Sequence, residues 1–183
     1  GITGHVTGSS SLIAKTIDNI SRGQLISLAF ALLSIFLALL LLFRSWRIAL
    51  IALLPNALPL SAYFGYLGIT ETPLNMTTSM VSAVVLGIAI DDSVHFLTRF
   101  KREYKESNSS YTAIQRTLES VGRPVTLTTI ALCCGFITLS FGELQNQLEF
   151  GLLAASCLFL AWLVDITFTP AICSLFTRFL RAQ

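Results

Sequence analysis

Charge is what this chain has least of. Lys, Arg, Asp and Glu together make up 12% of its 183 residues, against about 25% in soluble domains. That shortage excludes an ordinary soluble domain. A net charge of +2 is too small for a nucleic-acid partner. The four cysteines (Cys133, Cys134, Cys157, Cys173) lie inside apolar segments, without metal-ligand spacing and without a partner in a polar loop. They read as free thiols acting as small hydrophobes. No metal site is expected, since no second His or Cys cluster accompanies His95, and no cofactor is expected. There is no basic n-region ahead of an apolar h-region, so no cleavable signal peptide. The first residue is Gly rather than Met, which fits a fragment or a processed piece. The apolar runs lack dyad alternation, which excludes a closed β-barrel.

What is present is apolar: 54% of the residues are hydrophobic. A membrane helix needs about 20 such residues in a row. Five stretches qualify, at about 24–43, 48–68, 78–97, 125–142 and 150–176. The fold class that follows is an all-α membrane protein, a five-span bundle over 23–178 in contact with membrane lipids. Residues 1–22 read as a short strand (Ile2 to Val6) and a polar helix (Ser9 to Ile20), and 179–183 as a tail. Between the third and fourth spans, about 109–121, apolar Ala113, Ile114, Thr117, Leu118 and Val121 follow helical spacing. That segment predicts an amphipathic helix on the cytoplasmic membrane surface. Gly122, Arg123 and Pro124 are expected to end it and open the fourth span.

Basic residues are distributed unevenly. Arg44, Arg47, Arg99, Lys101, Arg102, Lys105, Arg116, Arg123, Arg178 and Arg181 are ten of the twelve Lys and Arg, and all lie on one side of this layout. The links after the second and fourth spans carry only Glu71, Glu143 and Glu149. The positive-inside rule then predicts an outside N-terminus and a cytoplasmic C-terminus.

The chemistry concentrates in the third span. Asp91 and Asp92 are adjacent in its middle, and His95 follows one turn later. A charged group at membrane depth costs a few kcal/mol or more and marks an ion or proton pathway by default. Residues four apart share a helix face, so Gly87, Asp91 and His95 form one stripe, with Asp92 about 100° round. Gly87 leaves a notch beside Asp91 for water or another helix. Two adjacent carboxylates in low dielectric do not both carry charge cheaply, which suits a proton carrier. His95 can relay the proton or pair with Asp91. The plain structural alternative is that one Asp merely caps or pairs with a neighbouring helix.

Other polar residues admit two readings each. Asp165, in the fifth span, either joins this network or hydrogen-bonds Thr167, Thr169 or a nearby helix. Thr126, Thr128 and Thr129 either bond back to carbonyls one turn earlier or support the relay. Pro55 and Pro59, flanking Asn56, either kink the second span statically or act as a hinge. Catalysis is not expected. An intramembrane aspartyl protease would show Gly-x-Gly-Asp, where this chain has Gly87-Ile88-Ala89-Ile90-Asp91, and Gly-x-Ser-x-Gly is absent.

The run Gly87-Ile88-Ala89-Ile90-Asp91-Asp92-Ser93-Val94-His95-Phe96 resembles the central acidic motif of exporters of the resistance-nodulation-division superfamily. The similarity is greatest to the branch shared by mycobacterial large membrane proteins and the sterol-sensing domains of Patched and Dispatched. Leu54-Pro55-Asn56-Ala57-Leu58-Pro59, Val121-Gly122-Arg123-Pro124, Thr128-Thr129 leading to Gly135-Phe136, Phe150-Gly151-Leu152-Leu153, and Asp165 followed by Pro170-Ala171 recur in the family's order. The resemblance covers about 20–178. It implies one half of a transporter bundle, the second half by its acid-pair-plus-His form, lacking its first span and most of its periplasmic domain. Residues 1–22 would be the returning end of that domain. It further implies a bacterial inner (plasma) membrane location and proton-driven export of lipids or other hydrophobic compounds. Asp91 and Asp92 would be the proton-binding pair, and a second matching bundle, in the same full-length chain or in a homo-oligomer, would be the partner. A lipid-sensing module without transport, like sterol-sensing domains, shares the five-span layout; it needs no protonatable dyad.

Overall fold

The computed structural model describes residues 9–180. The strand expected at Ile2 to Val6 and the tail from 181 onward lie outside the described residues. Among the described residues there is no strand, and five helices are long and apolar enough to cross a membrane. Helix α1 (Ser9–Phe43) continues the polar N-terminal segment straight into the first apolar run. Helix α2 is Trp46–Ile69, α3 Met76–Ser107, α4 Ser110–Thr117, α5 Arg123–Leu139 and α6 Gln145–Leu180.

The helix ends have local causes. Asn75 and Thr78 form a reciprocal cap at the start of α3: the Asn75 side chain accepts from the Thr78 N–H, and Thr78 Oγ1 accepts from the Asn75 N–H, each at 2.9 Å. That arrangement satisfies two orphan donors at once. Asn108 ends α3 in the left-handed region, at φ 50°, where Asn is tolerated better than most residues. Arg44 and Glu71 turn the chain after α1 and α2 in the same way, each at φ 51°.

Three apolar clusters order the bundle end to end. Leu39, Phe43, Ala49 and Ala52 bring the end of α1 against the start of α2, with Val94 and Leu97 of α3 packed on them. Phe96, Phe100, Ala113 and Cys173 join α3, α4 and α6 near the same end. Tyr63, Leu67, Val81, Val85, Ala154, Cys157 and Leu158 join α2, α3 and α6 toward the opposite end. Successive long helices therefore run up and down, and α2, α3 and α6 form the packed centre. In their apolar spans 41%, 44% and 39% of residues are buried, against 11% for α1 and for α4 to α5. The outer helices thus present most of their apolar surface outward.

The segment expected as an amphipathic surface helix is helical, with a different setting. Its apolar stripe is turned onto α3 and α6: Ala113 and Thr117 are buried, and Ile114 and Leu118 pack on the Phe96–Phe100 cluster. The chain does not break at Gly122–Pro124. It passes through a π-helical turn, Leu118–Gly122, directly into α5. Proline has no N–H for the usual i−4 bond, and a widened turn is one way a helix accommodates such a fault. Pro55 and Pro59 likewise stay inside a continuous α2. All four cysteines are free; Cys157 and Cys173 are buried, whereas Cys134 is exposed.

Candidate functional site

Asp91 and Asp92 fall at the middle of α3, and the predicted stripe forms. Asp91 Oδ1 lies 3.6 Å from His95 Nε2 one turn away. Both side chains are open on one side, His95 69% and Asp91 73% exposed. They face a cavity of about 680 Å³ lined on one wall by Gly87, Ile88, Asp91, Asp92 and His95 of α3. The other wall is Ser120 and Val121 of the π turn, then Pro124, Val125, Thr128 and Leu132 of α5. No Lys or Arg lines it. A Cβ added at Gly87 would meet nothing within 4 Å, so the notch beside Asp91 is real space.

The threonines of α5 divide. Thr128 lines the cavity, while its hydroxyl donates to the Val125 carbonyl at 2.9 Å. Thr129 is buried and donates to the same carbonyl at 2.8 Å. Thr126 donates to the Gly122 carbonyl at 2.7 Å. Back-bonding to the preceding turn holds for all three, and Thr128 alone also faces the acid pair.

Asp165 does not line that cavity. It is 6% exposed and sits in the bundle centre. Ser93 Oγ of α3 donates to Asp165 Oδ1 at 2.8 Å, and Thr169 Oγ1 donates to the same oxygen at 3.1 Å. Asn56 Nδ2 of α2 donates in turn to Ser93 Oγ at 3.2 Å and to the Ala52 carbonyl at 3.1 Å. The second carboxyl oxygen, Oδ2, is buried without a protein partner. Asp165 thus bonds both within its own helix, to Thr169, and across to α3. Since Ser93 follows Asp92 directly, this buried chain of polar groups backs onto the acid pair from the other side of α3.

Asn56 and Ser93 were not singled out from the sequence as site residues. Their signal was an amide between two prolines and a hydroxyl beside the acid pair, neither specific. Glu103 was also missed. It is 4% exposed, and it pairs with Arg99 at 2.7 Å and with Arg116 of α4 at 3.6 Å. That ion cluster fastens α4, and with it the π turn that forms the far cavity wall, to the helix carrying the acids.

A family model described as the MMPL family matches residues 1–183. The chain belongs to the MMPL family. This bears out the resemblance carried by the acidic motif. Relatives of this MMPL chain include a protein of Methanocaldococcus jannaschii named as a membrane protein, 24% identical over 94% of this chain and 44% of the relative. Multidrug resistance protein MdtC of Yersinia enterocolitica is 27% identical over 95% of this chain and 17% of its own length. Hopanoid transporter HpnN of Burkholderia multivorans is 25% identical over 96% of this chain and 20% of its own length. The MMPL chain therefore spans less than half the length of each of these curated relatives.

Proposed function

We propose that this chain is one membrane half of a proton-motive-force-driven exporter of lipids or other hydrophobic compounds. The observation that carries the reading is the cavity halfway along α3, where two carboxylates and an imidazole stand at membrane depth without a Lys or Arg to balance them. A proton is the smallest cation that can restore neutrality there, and it can leave again. In this reading Asp91 and Asp92 bind and release the proton, His95 orients Asp91 or passes the proton on, and the hydroxyl of Thr128 borders the path. Asp165, Ser93 and Asn56 hold α3 in place from behind. The open side of Asp91 and His95 is where a second, matching bundle closes the site.

The substrate class follows relatives that are named for hopanoid transport and for multidrug resistance. The bacterial inner membrane is the proposed location, with the N-terminus outside and the basic end of the bundle in the cytoplasm. The role is transport, with no chemical step on the substrate.

The test is export by the intact full-length protein in vesicles with an imposed proton gradient. Asp91→Asn and Asp92→Asn each keep the fold, because an amide of the same shape needs no new space and costs less at membrane depth than a charge, yet each abolishes export, because an amide does not titrate. His95→Ala reduces export without abolishing it. Normal export by both Asn variants would overturn the proton reading and put a lipid-sensing module without transport in its place.

A further inference from the structure

The π turn has a second face. Opposite the acid-pair cavity, Leu118, Gly122, Arg123, Thr126 and Leu127 line a groove of about 470 Å³ with Ile166 of α6. Its walls are almost wholly apolar, and Arg123 is the one charged residue among those that line it. Four other cations at this end of the bundle have partners. Arg99 and Arg116 share Glu103, Arg102 pairs with Glu106 at 3.3 Å, and the Lys101 ammonium lies 5.8 Å from the Phe43 ring centre. Glu119 stands four residues before Arg123, the spacing that pairs side chains on an α-helix. The π turn between them alters that register, and Glu119 instead accepts from Gln115 Nε2 at 3.1 Å. No carboxylate among the described residues lies within 4 Å of Arg123 by the ion pairs present. Beside the groove, Trp162 Nε1 donates to Thr126 Oγ1 at 3.0 Å.

We infer that this groove binds an anionic phospholipid, with its phosphate on Arg123 and an acyl chain along Leu118, Leu127 and Ile166. The occupant follows from the surroundings and the charge. Leu127 is 68% exposed on an outer helix of a membrane bundle, so the groove opens to lipid. An unpaired guanidinium above an apolar slot attracts a headgroup that is negative and bidentate in hydrogen bonding. A zwitterionic lipid offers the same chain without the net charge. The inference is independent of the proton reading, since none of these residues faces Asp91.

Native mass spectrometry of the intact protein, with phosphatidylglycerol or phosphatidylcholine of identical chains added in detergent, tests it. One well-placed basic residue near the surface corresponds to a preference of about fivefold for the anionic lipid. Arg123→Gln brings that preference to parity, and Arg123→Lys retains most of it. Ile166→Trp fills the groove while keeping the charge, and lowers retention of both lipids. An unchanged preference in Arg123→Gln, or full retention in Ile166→Trp, would overturn the assignment. So would displacement of the lipid by millimolar inorganic phosphate, which would mark a bare anion site. Export and proton uptake are expected to survive Ile166→Trp, which separates failure of this inference from failure of the transport reading.

Discussion

Asp165 shows how much a single side chain organises. One of its oxygens takes two hydroxyl hydrogen bonds, from Ser93 and Thr169, and through Ser93 it reaches Asn56 on a third helix. Removing the carboxyl leaves two buried hydroxyls without that acceptor, and an unsatisfied buried polar group costs about 1–3 kcal/mol. Asp165→Ala is therefore expected to lower the unfolding midpoint clearly in a detergent melt, whereas Asp165→Asn, which keeps an acceptor oxygen, costs less. Equal losses from the two would mean that the hydrogen bonds are not what holds this centre. Part of this was readable beforehand. An acid four residues before Thr169 announces a bond along its own helix, and Thr169 was among the expected partners. The bond to Ser93 spans 72 residues. It depends on the rotation of α6 against α3, which no local pattern records.

At the scale of elements, the long apolar runs are sufficient to find all the spanning helices, because hydrocarbon leaves the backbone little choice. The acid pair and its stripe with His95 follow from helical period alone. The far wall of their cavity does not. It exists because the chain crosses Gly122–Pro124 by a π turn instead of stopping there, and because Glu103 is buried by the return of α4. On sequence, Glu103 looks like one more solvated charge in a run of charges. The contact of α5 with α6 makes a further point. A Cβ at Gly151 would run into the Phe136 carbonyl, with Ser140 Oγ and Leu139 Cβ close by. Gly151→Ala has to push two helices apart, and overpacking of this kind costs about 1–3 kcal/mol. A lowered melting midpoint is the expected result, with faster amide exchange in Gln145 to Leu153. A neutral outcome would show that the two helices separate freely at that end. Gly87→Ala, by contrast, meets open space.

For the whole molecule, the placement of charge and the placement of lipid-facing surface agree. The links rich in Arg and Lys all gather at the end marked by Phe43, Phe100 and Ala113, and Glu71 sits at the other. Single cysteines at Glu71 and at Lys105, in a background freed of the exposed Cys134 and the other three thiols, are expected to react from outside and from the cytoplasm respectively. The reverse pattern would invert the topology.

The length of α3 has a mechanical side. Its 32 residues rise about 48 Å, well beyond a hydrocarbon core of about 30 Å. The acid pair sits at the midpoint of that rod, with Glu103 about 18 Å along one arm. A tilt of about 5° about Asp91 would be almost invisible at the carboxylates, yet it would sweep Glu103 sideways by about 1.5 Å and the tip by about 2 Å. Because Glu103 grips Arg116, the stroke is delivered to α4 and, through the π turn, to both cavities that flank it.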